Sequence, residues 1–387
     1  MSNNPVLAGR VAGKLKALYA VLGFGVVLGA CILVVFLYNN AHVSVARDIK
    51  PAMQHGKGLE ITSPESGWWE SRRSIYFGIP ARVLFRYPGR GKGRVESIMT
   101  LAWSEFDRIG QIFNPYDSDS GVSLINRAVK PGVVPVPPDV CTLVKLSRRL
   151  WKKSEGAFDP TMFPIKELWQ NAVKKQAVPT AAELSAALLA TGFSHVRQDC
   201  VNQRILFDHA DMRLDFGGVA KGYAVDRVRA VLKENGIASG MVQLGGEIAA
   251  FGEHDGRPWR IGVQNPREMQ AVWGVISAKK DLRVSTSGNY RQPLVINGAA
   301  FYHIFSPKTG KPVSERVLGV TTISLDAKAS NALLDGAATA ITVLGVNAGL
   351  DFAKKLGISA IILTEARDGR IAQFVSPGLS SVYRHRD

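Results

Sequence analysis

Residues Ala17 to Tyr38, ALYAVLGFGVVLGACILVVFLY, form an uncharged apolar run. As a helix, a run of this length crosses the roughly 30 Å hydrocarbon layer of a bilayer, which sets it apart from the rest of the chain. Arg10, Lys14 and Lys16 precede it, so the positive-inside bias predicts that residues 1–16 stay cytoplasmic and that everything after the run is exported. Within the run, Leu28-Gly29-Ala30-Cys31 offers a rival, a lipoprotein-type cleavage site that would leave Cys31 acylated. The apolar run continues for seven residues beyond Cys31, where a mature lipoprotein would turn polar, so an uncleaved anchor is the expectation. Either route places the main domain outside the cytoplasmic face.

Residues 39–69 are polar, carry scattered Pro and Gly, and read as a tether to one large domain at 70–387. The 387-residue chain is 46% hydrophobic and 21% charged, an ordinary globular composition that argues against disorder and fibrous repeats. Its formal charge of +16 invites a nucleic-acid reading. The basic residues are spread along the sequence with no nucleic-acid motif, so no nucleic-acid partner is expected. Cys31, Cys141 and Cys200 have no metal-type spacing, and a Cys141–Cys200 bridge stays open.

Periodicity predicts a strand from about Ser74 through IYFGIPARVLFRY and helices at 96–113, 138–153, 180–191, 219–235, 327–345 and 347–355. Thr180 and Glu183 stand in capping-box register. Further strands are expected at 203–208, 211–216, 241–250, 259–264, 282–286, 318–325 and 359–364. Strands and helices intermix without regular alternation, which predicts an α+β fold.

Several short stretches carry chemistry. In ASNALLDGAATAITVLG, residues 329–345, Asp335 and Thr339 lie one helical turn apart on one face, either for local hydrogen bonds or for a ligand. In RLDFGGVAKGYAVD, residues 213–226, a Gly-Gly turn opens a helix whose N-terminus suits phosphate, with Lys221 in its first turn; plain topology explains such a turn equally. Asp159 in SEGAFDPT, residues 154–161, either accepts backbone N–H bonds in a turn or meets a ligand. His303 in YHIFSPKTGKP, residues 302–312, is either a turn histidine or a proton acceptor. FNPYDSDSGVSLIN, residues 113–126, reads locally as an irregular loop, and STSGNY, residues 285–290, as a hairpin end.

Taken in order, these stretches resemble the ApbE family of FAD:protein FMN transferases. Ser120-Gly-Val-Ser123-Leu-Ile-Asn126 matches the family's S-x-[IL]-S-x-[LF]-N, with Tyr116 upstream. Gly156 to Thr161 followed by Leu168-Trp169 matches G-x-F-D-P-T and its L-W. LDFGGVAKGYAVD, LGGEI at 244–248, STSGNY, HIFSPKTGKPV and the Asp335–Thr339 helix match in turn. The resemblance runs from about residue 74 to 375.

The resemblance implies a single mixed α/β flavin-transferase domain behind the anchor. It implies Mg2+ held by Asp335, Thr339 and the carbonyl of Gly218, an oxygen set suited to that ion. FAD, as substrate, would be lined by Phe77, Tyr116, Ala157, Phe158, Asp159, Asp215, Lys221, His303 and Ile304. Lys221 would assist charge withdrawal and His303 would serve as general base. The implied reaction moves FMN from FAD to a Ser or Thr hydroxyl of a target flavoprotein and releases AMP. Hydrolysis of FAD to FMN and AMP, or FAD carriage without turnover, are the alternatives. The implied setting is the bacterial inner membrane, with the domain facing the periplasm and a flavoprotein subunit of a membrane electron-transfer complex as acceptor. Three departures bear on this: Ser306 replaces the Asp of H-x-x-D-P, Phe77-Gly78-Ile79 replaces Met-Gly-Thr, and Asn331 with Leu333-Leu334 precedes Asp335.

Overall fold

Strand Ile79–Arg86 sorts its side chains by parity: Val83 and Phe85 enter one apolar core while Leu84 enters another on the opposite side. That alternation, repeated across a sheet, makes its strands apolar on both faces and gives the molecule its layers. A computed structural model describes residues 59–63, 67–75, 78–89, 91–128, 132–268, 270–288, 293–313 and 316–386. The expected anchor at 17–38, its flank 1–16, Cys31, and Phe77, Asn289 and Tyr290 lie outside the described residues. Among the described residues no helix is long and apolar enough to cross a membrane.

In chain order the elements begin with a hairpin, Trp68–Ile75 (β1) and Ile79–Arg86 (β2), followed by Lys92–Phe113 (α1), Gly121–Ala128 (α2) and Gly132–Pro135 (β3). Helices Pro138–Lys153 (α3), Phe163–Lys175 (α4) and Ala181–Leu189 (α5) lead to strands Val196–Asp199 (β4) and Arg204–Phe207 (β5). Helix Ala220–Glu234 (α6) precedes Gly240–Leu244 (β6), Glu247–Phe251 (β7), Trp259–Gln264 (β8), Val272–Ala278 (β9) and Leu282–Gly288 (β10). Short strands Leu294–Ile296 (β11) and Ala299–Phe301 (β12) and the long Val317–Ser324 (β13) precede helices Asn331–Leu344 (α7) and Val346–Leu356 (α8). Strands Ser359–Glu365 (β14), Ile371–Val375 (β15) and Tyr383–His385 (β16) complete the described chain.

The main sheet runs β1-β2-β6-β7-β10-β13-β14-β15, and every neighbouring pair is antiparallel. One face shares a core with α1, α3, α6, α7 and α8. On the other, Leu84, Val284, Ile323 and Ile361 meet Trp259, Ile261 and Ile276 of the small sheet β16-β9-β8. Helices gathered on one face of an antiparallel sheet constitute the expected α+β class. A third core joins α4 and α5 to Ile296 and Phe305.

Local chemistry explains where the structure departs from periodicity. The stretch from Ser74 is two strands, because Gly78 at φ +87° reverses the chain into a hairpin that starts as early as Trp68. Residues 241–250 likewise fold back at Gly245, φ +59°, to give β6 and β7. Residues 211–216 form no strand: Asn126 donates its amide to the Leu214 carbonyl at 2.9 Å and accepts the Leu214 N–H at 2.7 Å. A side chain thus satisfies the backbone groups a ladder would otherwise use. Residues 121–128, read locally as loop, are helix α2, and this helix is what presents Asn126. The capping box at Thr180 and Glu183 forms as expected.

Helices α6 and α7 cross closely at Gly222, where an added Cβ would meet the Asn331 carbonyl oxygen at 2.3 Å and the Ala332 nitrogen at 2.7 Å. Backbone cannot yield as a side-chain tip can, so Gly222→Ala should destabilise the protein by about 3 kcal/mol. Gly93→Ala, which meets nothing within 4 Å, should stay within about 1 kcal/mol of wild type. Chemical denaturation of the two variants measures the difference; equal midpoints would contradict the close crossing.

Candidate functional site

The site is built on the α6–α7 crossing, which a single carboxylate fixes. Asp226 of α6 accepts the N–H groups of Asn331 and Ala332, each at 3.0 Å, and the Ser330 hydroxyl at 2.8 Å. It thereby caps α7 from a neighbouring helix, satisfying first-turn donors that α7 cannot satisfy itself. Arg283 binds Asp226 at 2.7 Å and Asn331 at 2.9 Å, while the Asn331 amide reaches the carbonyls of Ile248 and Val284. Asn331, a departure from the family pattern, is therefore a fully buried tie between α7 and the sheet. Helix α7 starts at Asn331 rather than 327 because Ser330 and Asp226 set its first turn.

One turn further, Asp335 is 1% exposed and faces α6. Lys221 donates to both of its oxygens, at 3.0 and 3.2 Å, and the Gly222 N–H donates to Oδ2 at 3.0 Å. Lys221 also reaches the Gly217 carbonyl at 3.2 Å. Burial lowers the Lys221 pKa, but Asp335 and Glu247 outweigh it and hold the ammonium above its ordinary value. Glu247, at the start of β7, is 0% exposed, lies 3.7 Å from the Lys221 ammonium, and has no hydrogen-bond partner on either oxygen. Burial first, then the Asp335 carboxylate, push its pKa up to about 8.

Thr339 lies on the Asp335 face, donating to the Asp335 carbonyl at 3.3 Å. A Cβ on Gly218 would stand 3.2 Å from the Thr339 hydroxyl and 3.1 Å from the Phe158 ring. The glycine turn before α6 is thus pressed against both residues. Gly218, Phe158, Lys221, Asp335 and Thr339, far apart in sequence, converge here. Among the described residues no group of three or more His, Cys, Asp or Glu could hold a metal ion. One carboxylate, one hydroxyl and a nearby backbone carbonyl are nonetheless hard oxygen donors that fit Mg2+, which keeps waters and bridges to phosphates. Glu247, with neither oxygen hydrogen-bonded, lies beside them as a carboxyl that burial and Asp335 hold toward its neutral form.

A second chain of contacts continues from the turn. Asp215 accepts the Gly217 N–H and the Lys166 ammonium, both at 2.8 Å. Burial raises Asp215, but Lys166 outweighs it and holds the carboxyl below its usual range. The Lys166 ammonium sits 5.0 Å from the centre of the Tyr116 ring, which is 51% exposed and whose hydroxyl accepts from Gln170 at 3.2 Å. An exposed aromatic beside a half-buried ion pair offers a flat surface for a planar ligand.

The remaining predicted residues divide by role. Asp159 accepts the Thr161 and Phe193 N–H groups at 2.8 and 2.9 Å and the Thr161 hydroxyl at 2.5 Å. Its carboxylate organises the turn that carries buried Ala157 and Phe158. His303 and Ile304 enter a turn in which Ser306 accepts the Gly310 N–H at 2.8 Å and donates its own N–H to Lys311. The Trp169 indole binds the Gly310 carbonyl at 2.8 Å and stacks on Phe305, so the L-W pair anchors this segment to α4. A concavity of about 710 Å³ on the small sheet, lined by Arg260, Lys279, Arg384 and Arg386 among others, shares no lining residue with the site.

Sequence reasoning missed Glu247, Lys166 and Asp226 as site-builders. Asp226 and Glu247 stand inside the motifs at 213–226 and 244–248, but burial without a hydrogen bond and capping across helices are tertiary facts. Lys166 had no local signal.

The Glu247 carboxyl yields a pH signature in protein free of divalent cations. It stays protonated to about pH 8 when folded but ionises near 4.5 when unfolded. The native state therefore binds the extra proton between these values, and its stability falls as pH rises through them. The melting temperature of wild type should fall relative to Glu247→Gln from about pH 4.5 to 8 and level off above. A difference independent of pH would contradict the assignment.

Residues 78–362 match the ApbE family profile. The FAD:protein FMN transferase of Vibrio cholerae is 33% identical over 273 residues, 69% of this chain and 80% of that protein. The Escherichia coli K12 FAD:protein FMN transferase is 27% identical over 300 residues, 76% of this chain and 84% of that protein. Among solved structures, the flavin transferase ApbE of V. cholerae superposes with a TM-score of 0.70 at 28% identity, covering 81% of this chain and 99% of that one. The apo flavinyl transferase ApbE of Pseudomonas stutzeri gives 0.70 at 29% identity, with 84% and 97% covered. Profile, relatives and architecture span the same residues that build the α6–α7 site, and the chain belongs to the ApbE family of FAD:protein FMN transferases.

Proposed function

We propose that this flavin transferase moves the FMN moiety of FAD onto a Ser or Thr hydroxyl of a target flavoprotein and releases AMP. The observation that supports this most is the convergence of Asp335, Thr339, Gly218 and Lys221 at the N-terminus of α6, where the N-cap residue Val219 supplies no side-chain cap. Asp335, Thr339 and the Gly218 carbonyl would hold Mg2+, which when bound withdraws charge from the bridging phosphates. The helix N-terminus and the Lys221 ammonium favour an anion at the same place. The Gly217-Gly218 turn lets phosphate oxygens approach backbone N–H groups. Tyr116 offers an exposed ring face to the planar groups, with Ala157, Phe158 and Ile304 as buried apolar backing.

In the reaction, the acceptor oxygen forms a bond to the FMN phosphorus as the bond from that phosphorus to the AMP oxygen breaks. The hydroxyl proton passes to His303 and AMP leaves as the phosphate anion. Positioning and charge stabilisation supply most of the rate gain in phosphoryl transfer of this kind. Ser306 stands in place of the Asp of the family pattern, so the chain places a hydroxyl rather than a carboxylate three residues after His303. We assign the apolar run at 17–38 as an inner-membrane anchor that holds the domain in the periplasm. The acceptor is then a flavoprotein subunit of a membrane electron-transfer complex.

Incubation of purified protein with FAD and Mg2+, with and without an acceptor flavoprotein, tests the reading. AMP released together with acceptor labelling, and only when acceptor is present, is the expected result. AMP without acceptor would make the protein a hydrolase, and tightly bound flavin without AMP a carrier. Asp335→Ala should lower labelling by about a hundredfold or more; wild-type rates in that variant would contradict the metal assignment.

A further inference from the structure

Lys221 sits where a cation ligand of Asp335 would be, and Glu247 lies beside it with both oxygens unpartnered. We propose that Lys221 is the resident counter-cation of Asp335 in the metal-free protein and that its ammonium transfers to Glu247 when a divalent cation takes Asp335. This rests on the reading of Asp335 as a cation ligand and adds to it a defined exchange within the chain.

Both oxygens of Asp335 are already occupied. Lys221 contacts both Asp335 oxygens at 3.0 and 3.2 Å, and the Gly222 N–H takes a further position on Oδ2. An ammonium and a divalent cation on one buried carboxylate repel each other with little water to screen them, so the lysine must leave as the ion arrives. Two other carboxylates stand near enough to matter to Lys221. Asp215 already holds Lys166 and the Gly217 N–H, each at 2.8 Å. Glu247 is wholly buried, has no hydrogen bond on either oxygen, and lies 3.7 Å from the ammonium.

A buried carboxyl group with neither oxygen hydrogen-bonded and its nearest ammonium held at 3.7 Å is a costly arrangement for a fold to keep. It is explained if the partner arrives in a second state. After transfer the metal faces Asp335 and the ammonium faces Glu247, which releases its proton to solvent as the ammonium arrives, so that each carboxylate is matched by one cation. Lysine suits the task because its long stem lets a point charge move between acceptors without backbone movement. The seat is never bare: without metal, the lysine neutralises the buried Asp335, and metal binding becomes a displacement whose affinity Glu247 sets.

Direct binding of Mn2+, measured without FAD from the loss of the free-ion electron paramagnetic resonance signal, tests the exchange. Wild type, Glu247→Gln, Lys221→Met, the double variant and Asp335→Asn are compared, with near-ultraviolet circular dichroism to report folding. The exchange predicts binding about tenfold weaker in Glu247→Gln and about tenfold tighter in Lys221→Met. In the Lys221→Met background, Glu247→Gln should have little further effect, since no ammonium needs a new partner. Equal effects of Glu247→Gln in both backgrounds would make Glu247 a direct ligand or a field source and overturn the proposal. Unchanged affinity in Glu247→Gln, with binding abolished in Asp335→Asn, would overturn the exchange while leaving the cation seat intact. Failure of wild type to bind Mn2+ would overturn both. If Lys221→Met does not fold, Lys221→Gln repeats the cycle with a neutral polar side chain.

Discussion

The crossing of α6 and α7 is the constraint from which the site follows. Two helices approach so closely at Gly222 that no side chain fits between their backbones. At that separation Asp226 reaches the first turn of one helix from the side of the other. The same approach brings the Gly222 N–H and the Lys221 ammonium onto Asp335. The carboxylate is buried by helix packing and satisfied by the neighbouring helix, so its position is set to within the tolerance of a packed core. Thr339 follows one turn along, beside the glycine turn that begins α6.

The sheet makes the crossing permanent. Strands β7, β10 and β13 lie beneath α7, with Thr322 donating to the Leu334 carbonyl at 2.9 Å and Asn331 donating to backbone on β7 and β10. The LGGE turn is fixed against β10, where a Cβ on Gly246 would meet the Thr286 carbonyl at 2.7 Å. That contact positions Glu247 beneath the lysine. Motifs that a sequence comparison would treat as separate signatures are therefore parts of one polar layer between two helices and a sheet. Their spacing along the chain reflects the order in which the elements are wound.

Much of this was legible from the residues, and the exceptions have physical causes. Asp335 and Thr339 announced themselves by standing at helical spacing in an otherwise apolar run, and the Gly-Gly turn by opening a helix that begins with lysine. The α+β class followed from irregular alternation. Periodicity predicts continuous strands through Gly78 and Gly245, where the structure has hairpins, because it does not register one positive φ angle. Residues 211–216 looked like a strand because their apolar pattern is that of a buried segment; an asparagine side chain, rather than a neighbouring strand, serves their backbone. Glu247 and Asp226 could not be given roles because an unpartnered buried carboxylate and a cap donated across helices exist only in three dimensions. Asp159 shows the reverse: its motif was plain, and its carboxylate organises a turn.

The central claim is that Asp335, Thr339 and the Gly218 carbonyl form a divalent-cation seat for the phosphates of FAD. Crystals of the protein grown with Mn2+ and a non-hydrolysable dinucleotide, with data collected at the manganese absorption edge, test it most directly. The account predicts one anomalous peak within coordination distance of the Asp335 carboxylate and the Thr339 hydroxyl, in contact with a phosphate oxygen. A bound dinucleotide with no peak there and Lys221 still paired to Asp335 would contradict it.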